Sequence, residues 1–547
     1  MDAFNYDPLD YYNQVLKHKH KENVESLFSE LEKKSCVDVE ENRRTVAKYQ
    51  AKKKKIEGLK KKISLYLTLQ IVFIVVSVAA LVFAVYSISQ SMPFYIPIIC
   101  LPFIIVLPLI AFLKLRPFRK KAESIVAAEE KEADALLSQA WEQMGPLNSL
   151  FRDDMTLSLF EKTLPDFSFE KRFSVRQYEN MRENYDLPPY NDDSRTVLKT
   201  LSGAYRGNPF VYLRSRVQRM GSETYHGMKV ISWTETYVAE KGRVRTRRRT
   251  QTLHASVIKP KPVYTVETEL HYGAQGAGSL TFMREGQNIN LKPDKEIEKF
   301  VKRGAKALKK KSQKSVSVGN TFTEMTNSQF DVLFGATDRN NEVEFRVMFT
   351  PLAQTNMVEL ILSDDTFGDD FDFYKFKRHN IIKSDHAQTF SMDSPASKYV
   401  SYSYDEAKNN FVNINLQYFK SVYFDFAPLL AVPIYQDEPN TVFDIPEGMK
   451  QSYTVHEYEV MLNGLDVSRF APPTAATECI IKADYICEKN EKDSICVNAY
   501  SYEAHGRIDV VPVLGGDGRM HGVPVPWTEY IPVVRTSSVL AEDIDKN

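Results

Sequence analysis

ISLYLTLQIVFIVVSVAALVFAVYSI, residues 63–88, carries no charged side chain. A bilayer core needs about 20 such residues in helical form, and soluble cores seldom hold an uncharged run this long. A second uncharged run, FYIPIICLPFIIVLPLIAFL, follows at 94–113. Its Pro97, Pro102 and Pro108 each lack an amide hydrogen, which predicts a kinked span, with a re-entrant segment as the alternative. Only SQSMP joins the runs. The reading is a transmembrane hairpin at 63–114.

Orientation follows from the flanks. Arg43, Arg44, Lys52–Lys55 and Lys60–Lys62 stand upstream; Lys114, Arg116, Arg119, Lys120 and Lys121 stand downstream. Basic residues near span ends stay cytoplasmic, and both flanks are basic. The expectation is an integral protein of the cell membrane with both termini cytoplasmic.

Working outward, residues 1–62 read as a cytosolic helical region. Val24, Leu27, Phe28 and Leu31 recur at helical spacing. Residues 115–145, rich in Ala, Glu, Lys and Leu, read as a stalk helix able to pair with the upstream one as a coiled coil. From Gly145 the texture changes. Runs such as MKVISWTETYVAE, TQTLHASVIK, VYTVETELHYG and GSLTFMRE alternate between turn signals, as antiparallel strands do. FDVLFGATD, EVEFRVMF, FDFYKFKR, NIIKSD and FVNINL also read as strands; KPDKEIEKFVKRGAKALKKK, PLAQTNMVELILS and QYFKSVYFDFA read as helices. Residues 146–440 thus predict a strand-rich antiparallel α+β domain. PIYQDEPNTVFDIPEG is a linker candidate, and 447–547 predicts a small α+β unit. The fold class is a membrane-anchored α+β protein.

Composition bounds the function. The 547 residues hold 71 basic and 71 acidic side chains, so the chain lacks the overall basic balance of a nucleic-acid binder. It is 43% hydrophobic and 12% aromatic, which excludes a disordered chain. Cys479, Cys487 and Cys496 are spaced unlike zinc ligands, and MDAFNYDPLDYY is no signal peptide. No cofactor or metal is expected.

The order of elements is two spans, a Glu/Ala-rich helix, LSGAYRGNPFVY, a basic hairpin, then FDVLFGATDRNNEVEFRVMFTPLAQTNMVELI. Over about residues 60–385 this order resembles a bacterial family of uncharacterised two-span membrane proteins with a cytosolic α+β domain. The resemblance implies that fold and topology and carries over no site residue.

Two basic features carry the binding hypothesis. In EKGRVRTRRRTQ, Arg243, Arg245, Arg247 and Arg249 share one face of a strand, with Arg248 on the other. Guanidinium forks suit phosphates: lipid headgroup, nucleotide or RNA. The same run suits a solvated hairpin paired with local acids. In the 292–311 helix, Ile297, Phe300, Val301 and Leu308 form one face, and Lys299, Lys302, Arg303, Lys306, Lys309, Lys310 and Lys311 occupy much of the rest. Such a helix lies on an anionic leaflet or docks on its own domain.

Other motifs point to structure. GAQGAG at 273–278 lacks the following helix of a phosphate loop. DDTFGDDFD, with Asp364, Asp365, Asp369, Asp370 and Asp372, lacks the register of a calcium loop. The ten histidines show no ligand pair, and no nucleophile elbow is present. The expectation is a membrane-anchored cytosolic binding or scaffold protein whose partners are the bilayer and anionic headgroups, with a second copy or another protein also open. The alternative is a membrane-tethered enzyme acting on a lipid or phosphorylated substrate.

Overall fold

Helical spacing governs the first part of the chain and alternation the middle, and the two segregate. The computed structural model describes residues 7–89, 95–170, 172–239, 243–317, 322–389, 392, 394–436, 453–489 and 492–541. They form two units, one from within 19–159 and 393–417, the other from within 1–18, 160–392 and 418–547.

The first unit is helical. Helix Lys17–Ser35 buries Val24, Phe28 and Leu31, which pack with Met144, Leu147, Phe151, Tyr404 and Phe411. The chain turns at Cys36, whose φ is 51°, and Asp38 accepts from the Glu41 amide at 2.9 Å to open helix Val39–Ser89. That helix has 51 residues and is about 75 Å long at about 1.5 Å per residue. The chain returns through helix Tyr95–Ile110, a π-helical turn Ala111–Leu115 and helix Arg116–Asn148. Pro102 and Pro108 lie inside the first of these.

The pairing is antiparallel. Thr45 Oγ1 accepts from Gln143 at 3.2 Å, Lys52 meets Glu129 at 2.7 Å, Gln70 accepts from Arg119 at 3.2 Å, and Ser77 donates to the Ile104 carbonyl at 3.2 Å. Ile56, Val126 and Ala133 bury their side chains in the seam. Most apolar side chains of the uncharged run at 63–88 face outward; Val75 is 59% exposed and Val82 64%. Both helices are long and apolar enough to cross a membrane.

The second unit is built on an antiparallel seven-stranded sheet. Its strands are β1 Phe167–Glu170, β2 Arg195–Tyr205, β3 Asn208–Ala239, β4 Arg243–Gly273, β5 Thr281–Arg284, β6 Phe371–Phe376 and β7 His379–Ser384, in spatial order β1-β2-β3-β4-β7-β6-β5. A second sheet, β10-β9-β8, comprises β8 Ile480–Lys489, β9 Lys492–Leu514 and β10 Met520–Ala541. Of the 447–547 region, expected as a small α+β unit, the described residues 453–489 and 492–541 carry their own sheet and fall in the same unit as the larger one. The Glu459 carboxylate of helix Val455–Gly464 accepts from the Val197 amide of β2 at 2.8 Å.

Three strand readings are corrected. FDVLFGATD and EVEFRVMF lie in helices Ser328–Phe334 and Glu342–Met348, capped by Asn327 and Asn341. Phe330/Phe334 and Phe345/Phe349 are four apart, so each pair falls on one side; Phe334, Phe345 and Phe349 pack on Phe282, and Phe334 also on Phe373. Val343 and Val347, which completed the apparent alternation, are exposed. FVNINL and QYFKSVYFDFA form one helix, Tyr404–Leu430. The proposed linker is 3-10 helical at Pro433–Tyr435, with Tyr435 buried; Pro439 and Pro446 lie outside the described residues.

The acidic run is exposed at Asp364 and Asp365 and folds inward from Asp369. Asp369 pairs with buried Arg284 and accepts from the Gln287 and Ile289 amides at 3.0 and 2.9 Å. Asp370 meets His386 at 2.6 Å, with Asp425 at 3.3 Å on the other side of the ring. Burial opposes charge on that imidazole, but the carboxylates of Asp425 and Asp370 outweigh it and raise its pKa to about 9.

Candidate functional site

Strands β3 and β4 stay paired from Phe210↔Tyr272 out to Ala239↔Arg243. β2 accompanies β3 only as far as Val217. Beyond that point a two-stranded ribbon continues for about 70 Å at about 3.3 Å per residue. Pro260 and Pro262 sit within β4 opposite Ser222 and Met220, where no further strand requires their missing amide hydrogens.

Hairpin β9–β10 covers one face of this ribbon. Val523 and Val525 are fully buried, and Val523 packs with Ile231 and Leu253. Gly227 permits the close approach: a Cβ there would stand 2.1 Å from the Pro524 carbonyl oxygen. Lys229 donates to the Gly522 carbonyl at 3.1 Å, and Gln251 accepts from the Gly516 amide at 2.7 Å. Lys259 meets Asp509 at 2.6 Å and lies 4.2 Å over the Trp527 ring. The result is a two-layered β arm. The β9–β10 turn at Gly515 and Gly516 ends against Trp233, and the first ribbon runs on uncovered.

The five predicted arginines occupy that uncovered end, all exposed. Register places Arg243, Arg245, Arg247 and Arg249 opposite Ala239, Tyr237, Glu235 and Trp233, all on one face. Alternate residues of a strand are about 6.6 Å apart, so the guanidinium groups form an evenly stepped row. Arg249 pairs with Glu235 at 2.8 Å, and Arg248, on the opposite face, donates to Ser232 at 3.3 Å. Arg243, Arg245 and Arg247 have no ion pair among the described residues.

The second basic segment is helix Asp294–Ser317. Leu308 is buried and packs with Phe300, Ala305, Phe322 and Val332; Ile297 and Val301 are half-buried. Gly304 lets the helix approach Val332, whose Cγ1 stands 2.4 Å from where a Cβ would be. The apolar face that a leaflet-bound helix would insert into lipid therefore packs on the protein. Lys299, Lys302, Arg303, Lys306, Lys309 and Lys310 are exposed, while Lys311 donates to the Thr337 carbonyl at 2.7 Å.

At the root of the arm lies a charged network that sequence spacing does not reveal. Glu267 and Glu269 alternate on β4. Lys383 from β7 reaches them at 2.7 and 3.0 Å, and Arg195 from β2 pairs with Glu269. Arg219 pairs with Glu267. Burial raises the Glu269 carboxyl, but His271 and Arg195 outweigh it and hold it below the usual carboxylate range. The alternating pattern around 265–271 is visible in sequence; its partners lie at sequence separations only the fold can join. GAQGAG forms turns, with Ala277 at φ 54°. Among the described residues no three His, Cys, Asp or Glu side chains converge as metal ligands. No family model, curated protein or solved structure matches this chain.

Proposed function

We propose that this chain is a membrane-anchored binding protein whose β arm presents arginines to an anionic lipid surface. In this reading the apolar helix pair holds the protein in the bilayer. The basic residues flanking both spans keep both termini cytoplasmic. The observation that carries the binding half is the uncovered arm end. Its four arginines share one face beside Tyr237, three of them lack ion pairs among the described residues, and a stacked hairpin stiffens the arm up to Trp233. Unpaired guanidinium groups in a row suit phosphates, and an exposed ribbon suits a surface better than an enclosed substrate.

Each basic side chain near an anionic leaflet contributes about 1 kcal/mol, so the row acts collectively. The test uses the full-length chain in phosphatidylcholine nanodiscs, mixed with vesicles with and without phosphatidylglycerol. Capture by anionic vesicles is expected at low salt. It falls at least tenfold when Arg243, Arg245, Arg247, Arg248 and Arg249 become Ser, and falls likewise as salt shortens the about 8 Å physiological screening length. Indifference to anionic vesicles at low salt would sink this reading.

A further inference from the structure

Segment Pro188–Asp192 walls a cavity of about 140 Å³ within the second unit. Phe173, Leu187, Val211 and Leu213 give it an apolar lining, and His271 and His456 reach it from two elements. Its charges are already matched. Arg195 pairs with Glu269, Lys482 meets Glu459 at 2.9 Å, and Tyr190 donates to Glu459 at 2.6 Å. His456 is different. It is 3% exposed, and its Nδ1 is buried without a hydrogen-bond partner among the described residues. Its ring sits among aromatic neighbours, with centroids 4.3 Å from Tyr190, 5.3 Å from Tyr178 and 5.4 Å from Phe173. Burial, then the nearby Lys482 and His271, lower its pKa to about 3, so it is neutral.

A buried polar group without a partner costs more than a hydrogen bond returns, so an imidazole with one unpartnered nitrogen beside a cavity points to a ligand atom. A cavity of roughly 150 Å³ accepts benzene, which sets the size. The compensated charges disfavour an ion. A neutral imidazole offers one donor and one acceptor, and a hydroxyl complements either tautomer. We propose that this cavity binds a small uncharged ring compound bearing one hydroxyl, with His456 as its hydrogen-bond partner.

Fluorine NMR of 4-fluorophenol with the full-length chain in detergent tests the proposal, with empty micelles as reference. Line broadening beyond the micelle reference is expected, reversed by unlabelled phenol. Fluorobenzene should bind about fivefold more weakly, the factor of one net hydrogen bond, and 4-fluorobenzoate should not bind. His456→Phe should erase the preference for the phenol while retaining fluorobenzene; His456→Gln, which restores a hydrogen-bonding side chain, should keep it. Broadening equal to that of empty micelles would overturn the proposal, as would a phenol preference that survives in His456→Phe.

Discussion

The helix pair and the β arm are both long antiparallel hairpins, and they manage exposure in opposite ways. Each helix closes its backbone hydrogen bonds within itself, so its side chains are free to be apolar on every side, as lipid requires. The arm closes its backbone bonds across the ribbon. One face is covered by a second hairpin, and the other alternates Thr and Ser with Met220, Met228 and Val230, all exposed. An outward valine should therefore mean different things in the two places. On the helix, in the membrane-anchored reading proposed above, it would face hydrocarbon; on the arm it faces water and is a tolerated exposure.

The largest test of this contrast is a charge at matched exposures. Val75→Arg, at a helix position 59% exposed, should cost about 3 kcal/mol of membrane insertion, the penalty for arginine at mid-span. Val238→Arg on the arm, 70% exposed, should change stability by no more than about 0.5 kcal/mol. The fraction of chain recovered in membranes reads the first and thermal unfolding in detergent reads the second. Equal tolerance at both sites would break the contrast.

A smaller effect tests the arm's layering. At Gly227 an added Cβ would meet the Pro524 carbonyl oxygen, with the Pro524 carbonyl carbon and Val525 Cα each at 2.9 Å. These are backbone atoms, so the layers must part. Gly227→Ala should cost about 1–3 kcal/mol, as overpacking does, and hydrogen exchange should rise at Val523 and Val525. Unchanged exchange there would mean the second hairpin does not brace the ribbon.

The two regions also differ in how they read from sequence. The spans are legible because hydropathy is local: 63–88 announces itself without a partner. The arginine row was legible for the same reason, since alternation puts 243, 245, 247 and 249 on one face. The arm's length was not, because Pro260 and Pro262 read as breaks between separate strands. They are tolerated only where no third strand pairs with β4, which is a non-local fact. The helices at 328–334 and 342–348 were hidden because Val343, Phe345, Val347 and Phe349 alternate as a strand would. Only packing of Phe345 and Phe349 against Phe282 chooses the helical period. His456 carried no sequence signal, because its significance is that its Nδ1 lacks a partner among the described residues.

The smallest effect concerns Gly58, the helical counterpart of Gly227. It lies in helix Val39–Ser89 before the apolar run, and a Cβ there would meet nothing within 4 Å. No positive φ requires glycine at this position. Glycine inside a helix loses more backbone entropy on folding than alanine and is less favourable by roughly 0.5–1 kcal/mol. Gly58→Ala should therefore stabilise the helix by about that amount, opposite in sign to Gly227→Ala. Hydrogen exchange at residues 52–62 should slow by up to about fivefold, while the arm's amides stay unchanged. Faster exchange at 52–62 would show that Gly58 serves a contact or bend this helix needs. The two glycines would then no longer separate a region governed by its own backbone from one governed by its partner strand.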